Sequence, residues 1–163
     1  MDIADLDHLR LAIAVAAQAR QHGNHPFGAV LTDEVGRVLL QAENTVVTGR
    51  DPTAHAETNL VRLAAQHYTP TQLSTFTLYA STEPCAMCAT AIHWSRIGRV
   101  AYALSEVDLY AIIGPSQEHL LLPCREVFAR SGRPVEVIGP AAALEEEARA
   151  VHAGFWISIQ DLD

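Results

Sequence analysis

Residues 76–104, FTLYASTEPCAMCATAIHWSRIGRVAYAL, hold a short apolar run, a cysteine-bearing stretch and a second apolar run. Phe76 to Ala80 reads as a buried strand, being short, apolar and bounded by turn residues. Residues 85–96 read as a helix that opens at Pro84-Cys85, and Val100 to Leu104 as another strand. Working outward, residues 53–68 look helical, with capping chemistry from Asp51-Pro52-Thr53. Phe27 to Thr32 and Arg37 to Ala42 read as strands joined by a hairpin turn over Asp33-Glu34-Val35-Gly36. Residues 5–22 form an amphipathic helix, with Leu6, Leu9, Ile13, Ala16 and Ala17 on one face and Gly23 as its stop. Downstream, residues 117–131 contain a helix and Pro134 to Ile138 a fifth strand. An Ala/Glu-rich helix over 141–155 runs into Phe155-Trp156-Ile157.

Strands that alternate with helices after an opening hairpin predict an α/β fold, a three-layer αβα sandwich around a five-stranded mixed sheet. Right-handed crossovers put the 53–68 and 85–96 helices on one sheet face if their strands are neighbours. Their N-termini then meet at one end of the sheet, where ligand sites in such sheets tend to lie. No repeat, low-complexity tract or linker interrupts the chain, so residues 1–163 are expected to form a single domain.

Composition narrows the function classes. The 163 residues are 49% hydrophobic, enough to bury a sizeable core. Mean hydropathy is only +0.10, and no apolar run approaches the roughly 20 residues that span a bilayer. The acidic start, MDIADLDHLR, lacks the features of a signal peptide, so a cytoplasmic protein is expected. A net charge of −8 with scattered arginines argues against a nucleic-acid footprint. Three cysteines, an odd number, argue against a disulfide framework.

The close pair Cys85 and Cys88, in Pro84-Cys85-Ala86-Met87-Cys88, suggests metal or redox chemistry. A redox pair needs a thioredoxin-like context, which is absent, and a closed structural zinc site needs a fourth ligand. Cys124, in Leu122-Pro123-Cys124-Arg125, has no zinc-finger spacing and reads as a buried apolar residue. His55, in His55-Ala56-Glu57, starts the other helix and completes a one-nitrogen, two-sulfur set. Three protein ligands leave one tetrahedral position for water, the mark of a catalytic zinc. The partial positive charge of the helix N-terminus favours the thiolates. Glu57, two residues from His55, is then the group that takes a proton from water and delivers it to a ring nitrogen and a leaving amine.

The two motifs match the H-x-E…P-C-x-x-C signature of zinc deaminases. Over residues 8–103 the chain resembles the cytidine-deaminase-like superfamily, nearest to the branch of guanine deaminases, fungal cytosine deaminases and bacterial tRNA adenosine deaminases. The residues that carry the resemblance are Pro26-Phe27-Gly28-Ala29-Val30, Asn44, Asp51 to Glu57, and Thr82 to Cys88. It implies one zinc per subunit on His55, Cys85 and Cys88, with Glu57 as proton shuttle. It also implies that Asn44 hydrogen-bonds the substrate ring; read without that match, Asn44 is better taken as a strand-end turn residue. Ala56 and Glu83, inside the motifs, join the substrate-binding set.

Phe27 and Trp94 look like guanine deaminase residues that sandwich a flat base, with core packing as the plain alternative. Ser95-Arg96-Ile97-Gly98-Arg99-Val100 looks like the tRNA enzymes, but the acidic Leu144-Glu145-Glu146-Glu147 does not suit an anticodon stem. Glu106 and Asp108 are candidates to read a purine edge, or are solvated loop carboxylates. Trp156 and Phe155 cap the pocket or pack on the final helix. The expectation is a zinc-dependent hydrolytic deaminase of a free base or nucleoside, guanine or a related amino-purine or amino-pyrimidine favoured, acting as a homodimer. Its rivals are a tRNA wobble-adenosine deaminase and a non-catalytic zinc module, the latter disfavoured by the intact Glu57.

Overall fold

The structure is a computed structural model that describes residues 1–117 and 119–156; Ile157, in the sequence's terminal run, lies outside the described residues. Helix α1 (Ile3–Gln21) is followed by strands β1 (Gly28–Thr32) and β2 (Val38–Glu43), then helices α2 (Val46–Gly49), α3 (Ala56–His67) and α4 (Pro70–Leu73). Next come β3 (Thr77–Thr82), α5 (Ala86–Ser95), β4 (Arg99–Leu104), α6 (Glu106–Ile113), α7 (Cys124–Ala129), β5 (Glu136–Ile138), a 3-10 turn (Ala142–Leu144) and α8 (Glu145–Ala150).

The sheet order is β2-β1-β3-β4-β5. The hairpin strands are antiparallel to each other and β1 is antiparallel to β3, whereas β3, β4 and β5 run parallel. The sheet is therefore mixed and covered on both faces. Successive strand residues point to opposite faces: Leu78, Ala80, Val100 and Tyr102 pack with Leu60, Ala64, Ala89 and Ile92 of α3 and α5. Tyr79, Ala101 and Ala103 pack with Leu9, Ala12 and Ile13 of α1 and with Ala148 of α8. Both motif helices thus lie on one face, as the crossover rule requires.

Two local features fix this frame. A Cβ on Gly28 would overlap the backbone of Ala12 and Ala16, so only glycine lets α1 lie this close to β1. Asp5 on α1 takes both guanidinium nitrogens of Arg99, at 2.8 and 2.9 Å, and the Tyr79 hydroxyl at 2.9 Å, tying the helix to β3 and β4. The Arg99 hydrogen bond holds the Asp5 carboxyl down to about 2, so the buried carboxylate and its half-buried partner stay ionised.

The expected C-terminal elements are shorter than their sequence pattern. The helix expected within 117–131 begins only at Cys124, because the residue before Pro123 is disfavoured in the helical region. The helix expected over 141–155 ends at Ala150. Beyond it Arg20 donates to the carbonyls of Val151 and Ala153, at 2.8 and 2.9 Å, in place of a helical ladder. Helix α6 falls in a stretch the hydrophobic pattern left as loop; Ser105 caps it by accepting from the Asp108 N–H at 3.1 Å.

Sheet register gathers the site. Ala29 faces Ala80 and Gly28 faces Glu43, so Phe27, Asn44 and Thr82 come to the same end of the sheet. The Asn44 N–H donates to the Phe27 carbonyl at 3.0 Å. The parallel strands β3 and β4 end there as well, at Thr82 and Leu104.

Candidate metal centre and active site

His55 and Cys85 are the cap residues of α3 and α5, and neither side chain makes a capping hydrogen bond to its helix. Both are turned instead toward each other and toward Cys88, which sits one turn into α5. The Nδ1 of His55 is 3.6 Å from Cys85 Sγ and 3.5 Å from Cys88 Sγ. All three potential ligand atoms lie within 4.8 Å of one another. A tetrahedral zinc, with bonds of about 2.3 Å to sulfur and about 2.05 Å to nitrogen, spaces those atoms about 3.6 Å apart. The donor set therefore fits zinc in chemistry and in spacing.

Glu57 lies in the first turn of α3, buried, with Oε2 3.6 Å from Cys88 Sγ. Burial, followed by the nearby Cys85 sulfur, pushes its carboxyl up to about 7. A carboxyl tuned to neutrality can both accept and return a proton. The Cys85 thiol is held down to about 4, first by the hydrogen bond from Cys88 and also by His55. Cys124 is fully buried, and burial raises its thiol.

His55, Glu57 and Cys85 open onto a cavity of about 550 Å³. Phe27 and Trp156 line it, with ring centroids 6.0 Å apart, and the indole N–H of Trp156 donates to His152 Nδ1 at 3.3 Å. Glu106 lines it too, 5% exposed; its carboxyl is pushed up to about 7, mainly by burial, and accepts from the Tyr110 hydroxyl at 2.9 Å. Asn44 is buried, its Oδ1 accepting from the Val46 N–H at 3.0 Å. Its buried Nδ2 has no hydrogen-bond partner among the described residues. A buried amide donor left free is an unusual expense in a folded chain, and a ligand is one remedy.

Of the expected substrate set, Asn44, Trp94, Asp108 and Ala56 do not line the cavity, and Glu83 lines it with its oxygens already engaged. Trp94 is 77% exposed, its ring edge-on to His93, and it does not line the cavity. Asp108 turns away to Arg149, at 2.7 Å, and to the Ser105 hydroxyl. Ala56 is fully buried in the core with Leu60. Glu83 reaches the cavity edge, but both its oxygens accept backbone N–H groups, of Glu106 and Cys124, at 3.1 Å each.

The sequence reading missed His25, Thr82, Tyr110 and His119, all of which line the cavity. Tyr110 and His119 stack with centroids 3.8 Å apart. The capping pattern Ser105-Glu106-Val107-Asp108 is the one sequence signal that points to the helix carrying Tyr110.

An open mixed sheet whose two motif helices bring together one imidazole, two thiols and a buried carboxylate beside a cavity defines a zinc-dependent deaminase fold. Residues 3–104 match the family model for the cytidine and deoxycytidylate deaminase zinc-binding region, and the chain belongs to that family. It is a hydrolytic deaminase that acts on C–N bonds, with zinc as its cofactor. Among its relatives is the "Probable cytosine deaminase" of Schizosaccharomyces pombe, 44% identical over 154 residues, 93% of this chain and 92% of that one. The guanine deaminase of Bacillus subtilis is 40% identical over 101 residues, 61% of this chain and 64% of that protein. A solved structure from work on tRNA:A34 deaminases superposes with a TM-score of 0.69 at 28% identity, covering 90% of this chain and 99% of the other.

Proposed function

We propose that the chain deaminates a free nucleobase, with a cytosine-type aminopyrimidine as first candidate and guanine as second. The observation that carries this reading is the charge of the cavity. Three carboxyl groups, Glu57, Glu83 and Glu106, line it; no arginine does among the described residues, and the chain has no lysine. Such a wall suits a neutral ring and opposes a nucleotide phosphate or an RNA backbone, which need cationic partners. The far wall, from Glu106 to His119, supports the pyrimidine over the purine. An alignment that covers 93% of the chain includes this wall, and that is the match to the fungal protein. The 61% match to the guanine deaminase is too short to span both the family region and this wall.

In this reading Phe27 and Trp156 hold the ring and exclude water. Asn44 Nδ2 donates to a ring carbonyl oxygen, which satisfies the buried donor. Bound zinc supplies the Lewis acidity that makes water a competent nucleophile near neutral pH. Glu57 relays water's two protons in turn: the first, lost as the oxygen attacks the ring carbon, goes to the ring nitrogen, and the second, lost as the new C=O forms, goes to the departing amine. The exocyclic C–N bond is exchanged for C=O, and ammonia is released. Ammonia release should be measured with cytosine, guanine, adenine, their nucleosides and a tRNA anticodon stem-loop. A free base is expected to exceed its nucleoside by at least about 100-fold in kcat/KM. Preferred turnover of the stem-loop would overturn the reading.

We also infer a homodimer. Met87, Ala91 and Trp94 recur at helical spacing on α5, and Trp94, at 77% exposure, is a large apolar group that a second copy would cover. Light scattering at micromolar concentration is expected to give about twice the 17.7 kDa chain mass; a monomer would contradict this. Among the described residues no helix is long and apolar enough to cross a membrane, and a reducing, cytoplasmic setting would keep Cys85 and Cys88 available as thiolates.

A further inference from the structure

We propose that Glu83 is a positioning residue whose carboxylate staples both ends of the 106–124 excursion to the metal-bearing end of β3 and so sets the far wall of the substrate cavity. Glu83 is only 9% exposed and lies two residues before Cys85. Its backbone N–H donates to the Leu104 carbonyl at 2.8 Å, which fixes it between the ends of β3 and β4. Its Oε2 accepts the Glu106 N–H where the excursion begins, and its Oε1 accepts the Cys124 N–H where it ends, each at 3.1 Å.

Between those two amides come Glu106, Leu109, Tyr110, Ile113, Gln117 and His119, all lining the cavity. The wall is therefore a long loop-helix segment whose two feet rest on one side chain. Hydrogen bonds from backbone N–H groups to a carboxylate are charge-assisted and short-ranged, so they hold position as well as add stability. Without this carboxylate two buried N–H groups would lose their partners, and the segment would be free to move at both feet. Glu83 is outside the His55, Cys85 and Cys88 ligand group, so its influence on the site runs through the wall and not through the metal. This inference rests on the deaminase reading only for its kinetic consequence.

The test uses the zinc-loaded full chain with Glu83→Gln and Glu83→Asp. Glutamine keeps the length but turns one acceptor into a donor facing an N–H; aspartate keeps the charge but is one methylene too short to reach both amides. Three quantities are read: zinc per chain, kcat and KM for the best base, and amide exchange at Glu106 and Cys124. The expected result is unchanged zinc and amide exchange at least about tenfold faster at one or both positions. KM should rise about tenfold, with kcat within about threefold of wild type. Unchanged exchange, loss of zinc, or faster exchange with KM unmoved would overturn the proposal. Failure of both variants to fold would also overturn it, by assigning Glu83 to the fold as a whole. If wild type turns over no base, the functional reading fails, while amide exchange still decides whether the staple exists.

Discussion

Glu57→Gln is expected to hold its zinc and to lose turnover by about a thousandfold or more. The amide has the shape of the carboxylate and removes no ligand, since the donor group is His55, Cys85 and Cys88. What it removes is the buried carboxyl beside the sulfurs that takes up a proton and gives it back. Glu57 sits in the first turn of α3, two residues after His55, so the backbone that places the ligand places the shuttle as well. Its burial raises the carboxyl to about 7, which glutamine cannot mimic at any pH. The check is zinc by atomic absorption beside initial rates of ammonia release. Wild-type rates from a zinc-loaded Glu57→Gln protein would remove Glu57 from the chemistry.

Cys88→Ser is expected to lose the metal, the activity and part of the stability together. Cys88 is fully buried, 3.5 Å from the imidazole and 3.6 Å from Glu57, so a replacement hydroxyl would be cut off from bulk solvent. Serine has a shorter bond to its oxygen and a hydroxyl that does not ionise near neutral pH, so it offers zinc a poor ligand. Zinc after dialysis should fall to about a tenth of an ion per chain or less. A metal that binds only the folded chain adds to its stability by mass action, so Tm should fall by about 5 to 10 °C. Calorimetry with and without a chelator checks this. The chelated wild type should melt close to Cys88→Ser; a variant that keeps both zinc and its melting point would refute the ligand set.

The metal centre was legible in the sequence because it is built from two short motifs at two helix starts. Ligand spacing within a motif fixes geometry locally, and the crossover rule brings the two starts together. The substrate wall was less legible because side-chain direction depends on elements whose phase was not known. Trp94 shows this: nine residues after Cys85 on one helix corresponds to a rotation of about 180° from it, so the ring faces out. Asp108 follows the same rule. Two residues after an inward Glu106, once that stretch is helical, it turns about 200° away and meets Arg149. Glu83 was read as a substrate contact because it adjoins the cysteines; its partners lie 23 and 41 residues along the chain, beyond any local pattern. Strand register brings Phe27 and Asn44 to the same end of the sheet, where Phe27 lines the cavity.

The most direct test is X-ray absorption at the zinc edge of the purified full chain. The account predicts one zinc per chain, with two sulfurs at about 2.3 Å, one imidazole nitrogen at about 2.05 Å and one further light atom that exchanges with solvent or inhibitor. A shell with three or four sulfurs, or one closed by a fourth protein group, would contradict it.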